Sequence, residues 1–98
     1  MRLVYLPEAR EDLLEAVTFY HEREEGLAAD FYQEFEQAER EIIEWPELWS
    51  QFEGDYRRKI INRFPNSIIY HQIGEELWEV VAVVPQKSDP EALKERLS

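Results

Sequence analysis

Cysteine is absent from the 98-residue sequence, and this absence excludes disulfide bonds, thiol catalysis and cysteine-ligated metal sites. Long apolar runs are missing too, because none approaches the roughly 18 residues that a membrane-spanning helix needs. The apolar stretch at the N-terminus is too short for a secretory signal peptide. These absences predict one small domain, residues 1–98, in the cytoplasm.

Basic residues are scarce, because 11 lysines and arginines stand against 22 aspartates and glutamates and give a formal net charge of −11. An acidic surplus of this size argues against broad, non-specific binding to nucleic acid. The surplus is uneven: residues 1–56 hold 4 basic and 16 acidic side chains, whereas residues 57–98 hold 7 basic and 6 acidic ones. This asymmetry predicts two faces with different roles.

Residues that commonly form catalytic or metal sites are also few. His21 and His71 are the only histidines, and neither belongs to a His-Glu-x-x-His pattern. The three glycines make no phosphate-binding loop, and no serine lies in a nucleophile elbow. The sequence therefore predicts no metal and no cofactor, and the acidic side chains are expected to form a solvated face.

Two apolar stripes with helical spacing fill the first half of the chain. A short apolar strand, 2–6, precedes them and ends at Pro7, which suits the first turn of a helix. Gly26 separates the stripes, and Pro46 ends the second one. The first stripe consists of Ala9, Leu13, Ala16, Val17 and Tyr20, and the second of Leu27, Phe31, Phe35, Ala38, Ile42 and Trp45. Two such helices with a short connection predict an antiparallel hairpin.

Strand-forming residues dominate the second half. Residues 46–56 are predicted to be a loop with anchoring aromatic residues, and Pro65-Asn66 is a turn signal. The valine-rich run 80–84 predicts a central strand that is buried on both faces. Residues 91–97 are expected to form one or two helical turns. The predicted strands of this half are 57–64, 67–73 and 77–84.

The predicted fold is therefore α+β in the order β-α-α-β-β-β. The first strand is expected to join the later antiparallel strands, because a lone strand leaves its backbone groups unpaired. The helical hairpin packs on one face of this sheet. The other face is either exposed to solvent or a binding surface.

A basic cluster stands out in the first strand of the second half. If 57–64 is one strand, alternation places Arg57, Lys59 and Arg63 on one face and Arg58 on the other. Three cations on one face suit phosphates or carboxylates. Ion pairing with the chain's own carboxylates, or protection of an edge strand by charge, explains the cluster equally well.

The order and spacing of these segments resemble the RelE/ParE superfamily of toxins from type II toxin–antitoxin modules, on the ParE-like side that includes plasmid stabilisation proteins. The resemblance covers nearly the whole chain, and it depends on order, spacing and length rather than on one specific motif. The segments that carry it are Pro7-Glu8-Ala9, Phe19-Tyr20, Trp45-Pro46, Tyr56-Arg57-Arg58, Arg63-Phe64-Pro65, the strand SIIYHQI, and the valine-rich strand before Asp89-Pro90.

The resemblance implies a bacterial cytoplasmic toxin with a cognate antitoxin as partner. ParE-like members are associated with inhibition of DNA gyrase, whereas RelE-like members cleave mRNA on the ribosome. No membrane and no sequence-specific DNA are expected as partners. The residues expected to bind the target or the antitoxin are Arg57, Arg58, Lys59, Arg63, Tyr70 and Lys87. In an endoribonuclease, the basic members Arg57, Arg58, Lys59, Arg63 and Lys87 would bind phosphate and stabilise the transition state.

The sequence departs from the nuclease pattern at its C-terminal end. Many relatives carry a histidine after the last valine-rich strand, but this chain has Pro85, whose side chain cannot transfer a proton. No aromatic residue lies in the last six residues, and His71 is expected to be a structural histidine in mid-strand. Three functions remain open: a ParE-like toxin that binds a topoisomerase, a RelE-like endoribonuclease, and a degenerate member that poisons nothing.

Overall fold

A computed structural model describes residues 1–88 and 90–97. Asp89, which belongs to one of the segments that carry the resemblance, lies outside the described residues. None of the helices among the described residues combines the length and the apolar character that a membrane span requires. The elements are β1 (Arg2–Tyr5), α1 (Pro7–Arg23), α2 (Leu27–Glu44), β2 (Ser50–Gln51), β3 (Arg57–Ile60), β4 (Asn66–Gly74), β5 (Leu77–Pro85) and α3 (Pro90–Leu97).

The predicted helical hairpin is confirmed. Pro7 occupies the first turn of α1, where its missing N–H leaves no hydrogen bond unmade. Gly26 has a φ of 83°, so the connection to α2 uses a left-handed conformation that glycine adopts without strain. The buried residues of α2 are Phe31, Phe35, Ala38 and Ile42, all members of the predicted stripe.

The five strands form one sheet in the order β1-β5-β4-β3-β2. As predicted, β1 joins the later strands, and it runs parallel to β5 while the remaining pairs are antiparallel. The loop predicted for residues 46–56 contains the short strand β2, which the sequence pattern did not reveal. Ser50 and Gln51 of β2 pair with Arg58 and Arg57 at one edge of the sheet.

The strand predicted for 57–64 is wrong beyond Ile60, where β3 ends. Arg63 has a φ of 71° and lies in a tight turn that the bond from Ile61 N–H to the Asn66 carbonyl closes. The chain turns there because Phe64 enters the aromatic core beneath the hairpin. Arg63 therefore does not share a strand face with Arg57 and Lys59, and the predicted row of three cations does not exist.

Each face of the sheet carries its own core. We call the side that carries α1 and α2 the hairpin face and the opposite side the distal face. On the hairpin face, Val80 and Val83 join Phe31, Ile42 and Tyr70. On the distal face, Val81, Ala82 and Ile69 pack against Leu93 of α3. The predicted burial of β5 on both faces is thus confirmed. The helix α3 covers part of the distal face, for which the sequence predicted either exposure to solvent or a binding surface.

The helix α3 is tied to the exposed edge of β5. Because β1 ends at Tyr5, β5 has no strand beyond Val80 on its β1 side, although β4 continues to pair with its other side. Asp12 of α1 accepts a hydrogen bond from the Val83 N–H (2.9 Å), and Arg96 of α3 donates to the Val81 carbonyl (2.9 Å). The two side chains also pair with each other at 2.7 Å. This Asp12–Arg96 clasp satisfies edge groups that a further strand would otherwise bind.

Candidate functional site

A cavity of about 110 Å³ opens on the distal face between the sheet and α3. We call it the α3 cavity. Its volume is sufficient for a carboxylate group or a few water molecules. Its lining combines apolar side chains with one guanidinium and a few polar groups, and it comprises Phe52, Arg58, Ser67, Ile69, Val84, Pro85, Gln86, Ser88 and Leu93.

Arg58 supplies the positive charge of the cavity. It pairs with Ile69 across β3 and β4, and paired residues point to the same side, so Arg58 lies on the distal face. Its guanidinium carbon lies 5.8 Å from the centre of the Phe52 ring. No hydrogen bond or ion pair to the Arg58 guanidinium exists among residues 1–88 and 90–97. A guanidinium whose donors have no partner in this part of the chain suits an anionic group that enters the cavity.

Ser67 is the unusual polar group of the cavity. The residue is 1% exposed, and its Oγ is buried with no hydrogen-bond partner in the described part of the protein. A buried hydroxyl without a partner costs about 1–3 kcal/mol, so such groups normally indicate a bound water or ligand. The lining of the cavity thus contains a guanidinium, from Arg58, and a serine whose hydroxyl has no partner in the described structure.

Lys87 lies at the rim of this cavity. It occupies an exposed turn in which the Ser88 N–H and Oγ both donate to the Pro85 carbonyl, at 3.0 and 2.7 Å. The neighbouring Gln86 N–H donates to the Pro65 carbonyl and fixes the other side of the turn. Gln86 and Ser88 line the cavity, so Lys87 lies between two lining residues without lining the cavity itself.

Arg57 and Lys59 lie on the opposite, hairpin face. The Lys59 ammonium is 3.5 Å from a Glu41 carboxylate oxygen and 3.8 Å from the centre of the Trp49 ring. The Arg57 guanidinium donates to the Trp49 carbonyl at 2.9 Å. Both cations thus bind the chain itself, and pairing with the chain's own carboxylates accounts for Lys59.

The remaining predicted site residues are also separate from the α3 cavity. Tyr70 is fully buried on the hairpin face, and its hydroxyl donates to the Pro46 carbonyl at 2.7 Å. Burial raises the pKa of the Tyr70 phenol above its usual value, although the nearby Arg57 opposes this effect. Arg63 is exposed in its turn beside the Phe64 ring. Of the six predicted residues, only Arg58 lines the α3 cavity, and Lys87 lies in the neighbouring turn. Arg57, Lys59 and Tyr70 lie together on the hairpin face, where Arg57 and Tyr70 are paired across β3 and β4.

His71 lies on the distal face outside the cavity lining. Its Nε2 is 3.0 Å from a Glu79 carboxylate oxygen, and its ring stacks on Tyr56 with 4.5 Å between ring centres. Tyr56 in turn donates to the Leu97 carbonyl at the end of α3. This network holds α3 and agrees with the predicted structural role of His71.

Sequence patterns did not identify Ser67, Asp12 or Arg96. Ser67 had a weak signal, because it is the polar residue of an otherwise apolar strand segment. Asp12 and Arg96 gave no signal in the sequence. They bind backbone groups of β5, and they pair with each other across 84 positions of the chain. Among the described residues, no group of three or more His, Asp or Glu side chains could hold a metal ion.

Comparison with protein-family models and with curated proteins gives no match to this sequence. The architecture itself is a small α+β fold consistent with that of the RelE/ParE superfamily.

Proposed function

We propose that this protein is the toxin of a type II toxin–antitoxin module, that it acts in the ParE-like manner by binding a cellular target, DNA gyrase by resemblance, and that a cognate antitoxin neutralises it. The observation that carries the proposal is the α3 cavity, which Arg58 lines together with Ser67, whose buried hydroxyl has no partner among the described residues. Two such donors suit a carboxylate on an antitoxin or target protein.

The lining of the α3 cavity favours binding over cleavage. Phosphodiester cleavage needs a group that accepts or donates a proton within hydrogen-bond reach of the reacting atoms. Among residues 1–88 and 90–97, no histidine, carboxylate or tyrosine lines the cavity. Pro85 lines the cavity at the end of β5, where many relatives carry a histidine.

An apolar groove offers a place for the antitoxin. It has a volume of about 410 Å³ and lies between α1 and the ends of β4 and β5. Phe19 and Pro85 on its wall are exposed, and grooves of this kind accept an amphipathic helix or an extended segment. An antitoxin that spans this groove would reach the turn at Gln86 and the α3 cavity, because Pro85 lines both.

The proposal is tested by expression of the protein without an antitoxin. Growth should stop, cells should filament and the DNA-damage response should rise while bulk translation continues. Purified protein should inhibit supercoiling by gyrase, and Arg58→Ala should abolish the inhibition. Arg63→Ala removes the same charge from an exposed turn outside the cavity and is the matched control, which should keep the activity. Co-expression of a short open reading frame beside the gene should restore growth.

A RelE-like endoribonuclease is the alternative, and the His71–Glu79 pair on the distal face is the observation in its favour. In that case translation would stop first, and primer extension would reveal cuts at codon positions in ribosome-bound mRNA. Loss of those cuts in His71→Ala would replace the proposal with this alternative. A well-folded protein that causes no growth defect would instead identify a degenerate, non-toxic member.

A further inference from the structure

Side-chain hydrogen bonds hold the loop between α2 and β2 against the sheet and against α2. The Tyr70 hydroxyl donates to the Pro46 carbonyl at 2.7 Å, and Arg57 donates to the Trp49 carbonyl at 2.9 Å. The Trp49 indole N–H donates back to the Glu41 carbonyl at 3.2 Å. Two of these bonds hold backbone carbonyls of the loop to β4 and β3, and the third holds the Trp49 side chain to α2.

This rigid loop presents large apolar side chains to solvent. Trp45 is 51% exposed and Leu48 is 63% exposed, and Ile43 in the last turn of α2 is also exposed. Protein interfaces concentrate their binding energy in such aromatic and aliphatic anchors, and a fixed backbone lowers the entropy lost on binding. The loop thus has the properties of a preorganised contact site.

A cavity of about 480 Å³ opens beside the loop on the hairpin face. It is separate from the α3 cavity and shares no lining residue with it. Its lining is polar, with two carboxylates, one guanidinium and two primary amides around a buried indole. The lining residues are Glu47, Gln51, Asp55, Arg57, Gln72, Gly74 and Trp78.

The charge around the loop and this cavity is strongly negative. Residues 41–55 contain five acidic side chains and no basic one. Glu41 pairs with Lys59, and Glu53 pairs with Lys94. Glu44, Glu47 and Asp55 make no ion pair within residues 1–88 and 90–97. A partner that covers this surface must therefore bring positive charge.

We propose that this surface, which we call the acidic end (residues 43–48 together with Asp55), docks a basic amphipathic segment of another protein. Apolar side chains of the segment pack on Trp45 and Leu48, and a lysine or arginine enters the cavity that Glu47 and Asp55 line. Arg57 does not oppose this cation strongly, because two carboxylates outnumber it. A second copy of the chain fits less well, because both copies carry a net charge of −11.

The test uses a fluorescent amphipathic helical peptide of about 15 residues that carries leucine on one face and lysine on the other. Trp45→Ala with Leu48→Ala should weaken its binding at least tenfold, by about 1.4 kcal/mol. Glu47→Gln with Asp55→Asn should weaken it about fivefold and reduce its salt dependence. The matched control is Leu14→Ala with Glu22→Gln and Glu25→Gln, because it removes an exposed leucine and two exposed carboxylates from α1 and its C-terminal turn. This control should change the affinity less than twofold.

The three tryptophan indole N–H signals in an NMR spectrum give an independent check. Trp45 and Trp78 should shift on peptide binding, whereas Trp49, whose N–H is bound to Glu41, should not. Three results would each overturn the proposal: equal loss of affinity in the α1 control, equal binding of a peptide with glutamate in place of lysine, or no binding. Self-association that Trp45→Ala abolishes would replace the basic partner with a second copy of the chain.

Discussion

At the scale of the residue, Ser67 distinguishes a binding cavity from an ordinary packing defect. Its neighbours in the strand, Ile68 and Ile69, are buried in the two cores, and an alanine or valine at position 67 would satisfy the same packing. A hydroxyl there, with no partner in the described structure, carries a desolvation cost without a return in stability. A ligand that forms a hydrogen bond with this hydroxyl would account for the cost.

We predict that Ser67→Ala leaves the free energy of unfolding unchanged or raises it by about 1 kcal/mol, because an unpaired buried hydroxyl is removed. Tyr20→Phe is the matched control: it also deletes a buried hydroxyl, but that hydroxyl donates to Asn66 Oδ1 at 2.6 Å. The control should lose about 1–2 kcal/mol. Urea denaturation measures both variants. A loss in Ser67→Ala as large as in the control would mean that the Ser67 hydroxyl has a protein partner.

At the scale of the element, α3 depends on few contacts with the remainder of the protein. Leu93 enters the distal core, Tyr56 binds the last carbonyl, and the Asp12–Arg96 clasp fixes the helix to the edge of β5. The clasp is the stronger tie, because the Asp12 carboxylate is only 15% exposed and both side chains also bind the β5 backbone.

We predict that Asp12→Ala lowers the free energy of unfolding by about 2 kcal/mol, because it leaves the Val83 N–H without an acceptor and removes the carboxylate that pairs with Arg96. Glu11→Ala, an exposed neighbour on α1, should change stability by no more than about 0.5 kcal/mol. Hydrogen exchange at the Val83 amide should become faster in Asp12→Ala alone. Simple additivity of Asp12→Ala and Arg96→Ala in a double-mutant cycle would show that the two side chains do not act together.

Elements with local signals were predictable from the sequence. The helices follow from apolar spacing, Pro7 and Gly26, and the central strand β5 follows from its continuous valines. The end of β3 was not predictable, because a β-rich segment gives no local sign that Phe64 is drawn into the core beneath α1 and α2. Strand alternation did predict that Arg57 and Lys59 lie on the opposite face from Arg58. It could not predict which of these faces packs against the helical hairpin, because that depends on the whole sheet.

At the scale of the whole molecule, the negative charge is concentrated in the first half of the chain, which carries the helical hairpin. Residues 1–56 contain 16 of the 22 acidic side chains. The two helices present many of these carboxylates side by side, and only a few are in ion pairs within the described structure, among them Asp12 and Glu41. Mutual repulsion should therefore oppose the compact state.

We predict that an increase in NaCl from about 0.02 M to about 0.3 M raises the Tm by several degrees, because the screening length falls from roughly 20 Å to below 10 Å. The variant Glu22→Gln with Glu25→Gln, which neutralises two exposed carboxylates near the end of α1, should have a higher Tm at low salt and a smaller increase with salt. Thermal unfolding followed by circular dichroism measures both effects, and an equal concentration of a neutral osmolyte is the control for effects on hydration. A Tm that falls with NaCl would mean that the ion pairs, such as Asp12–Arg96, outweigh the repulsion between like charges. In that case the negative surface would be a smaller cost to folding than its charge count indicates, and its value for recognition of a basic partner would come at little loss of stability.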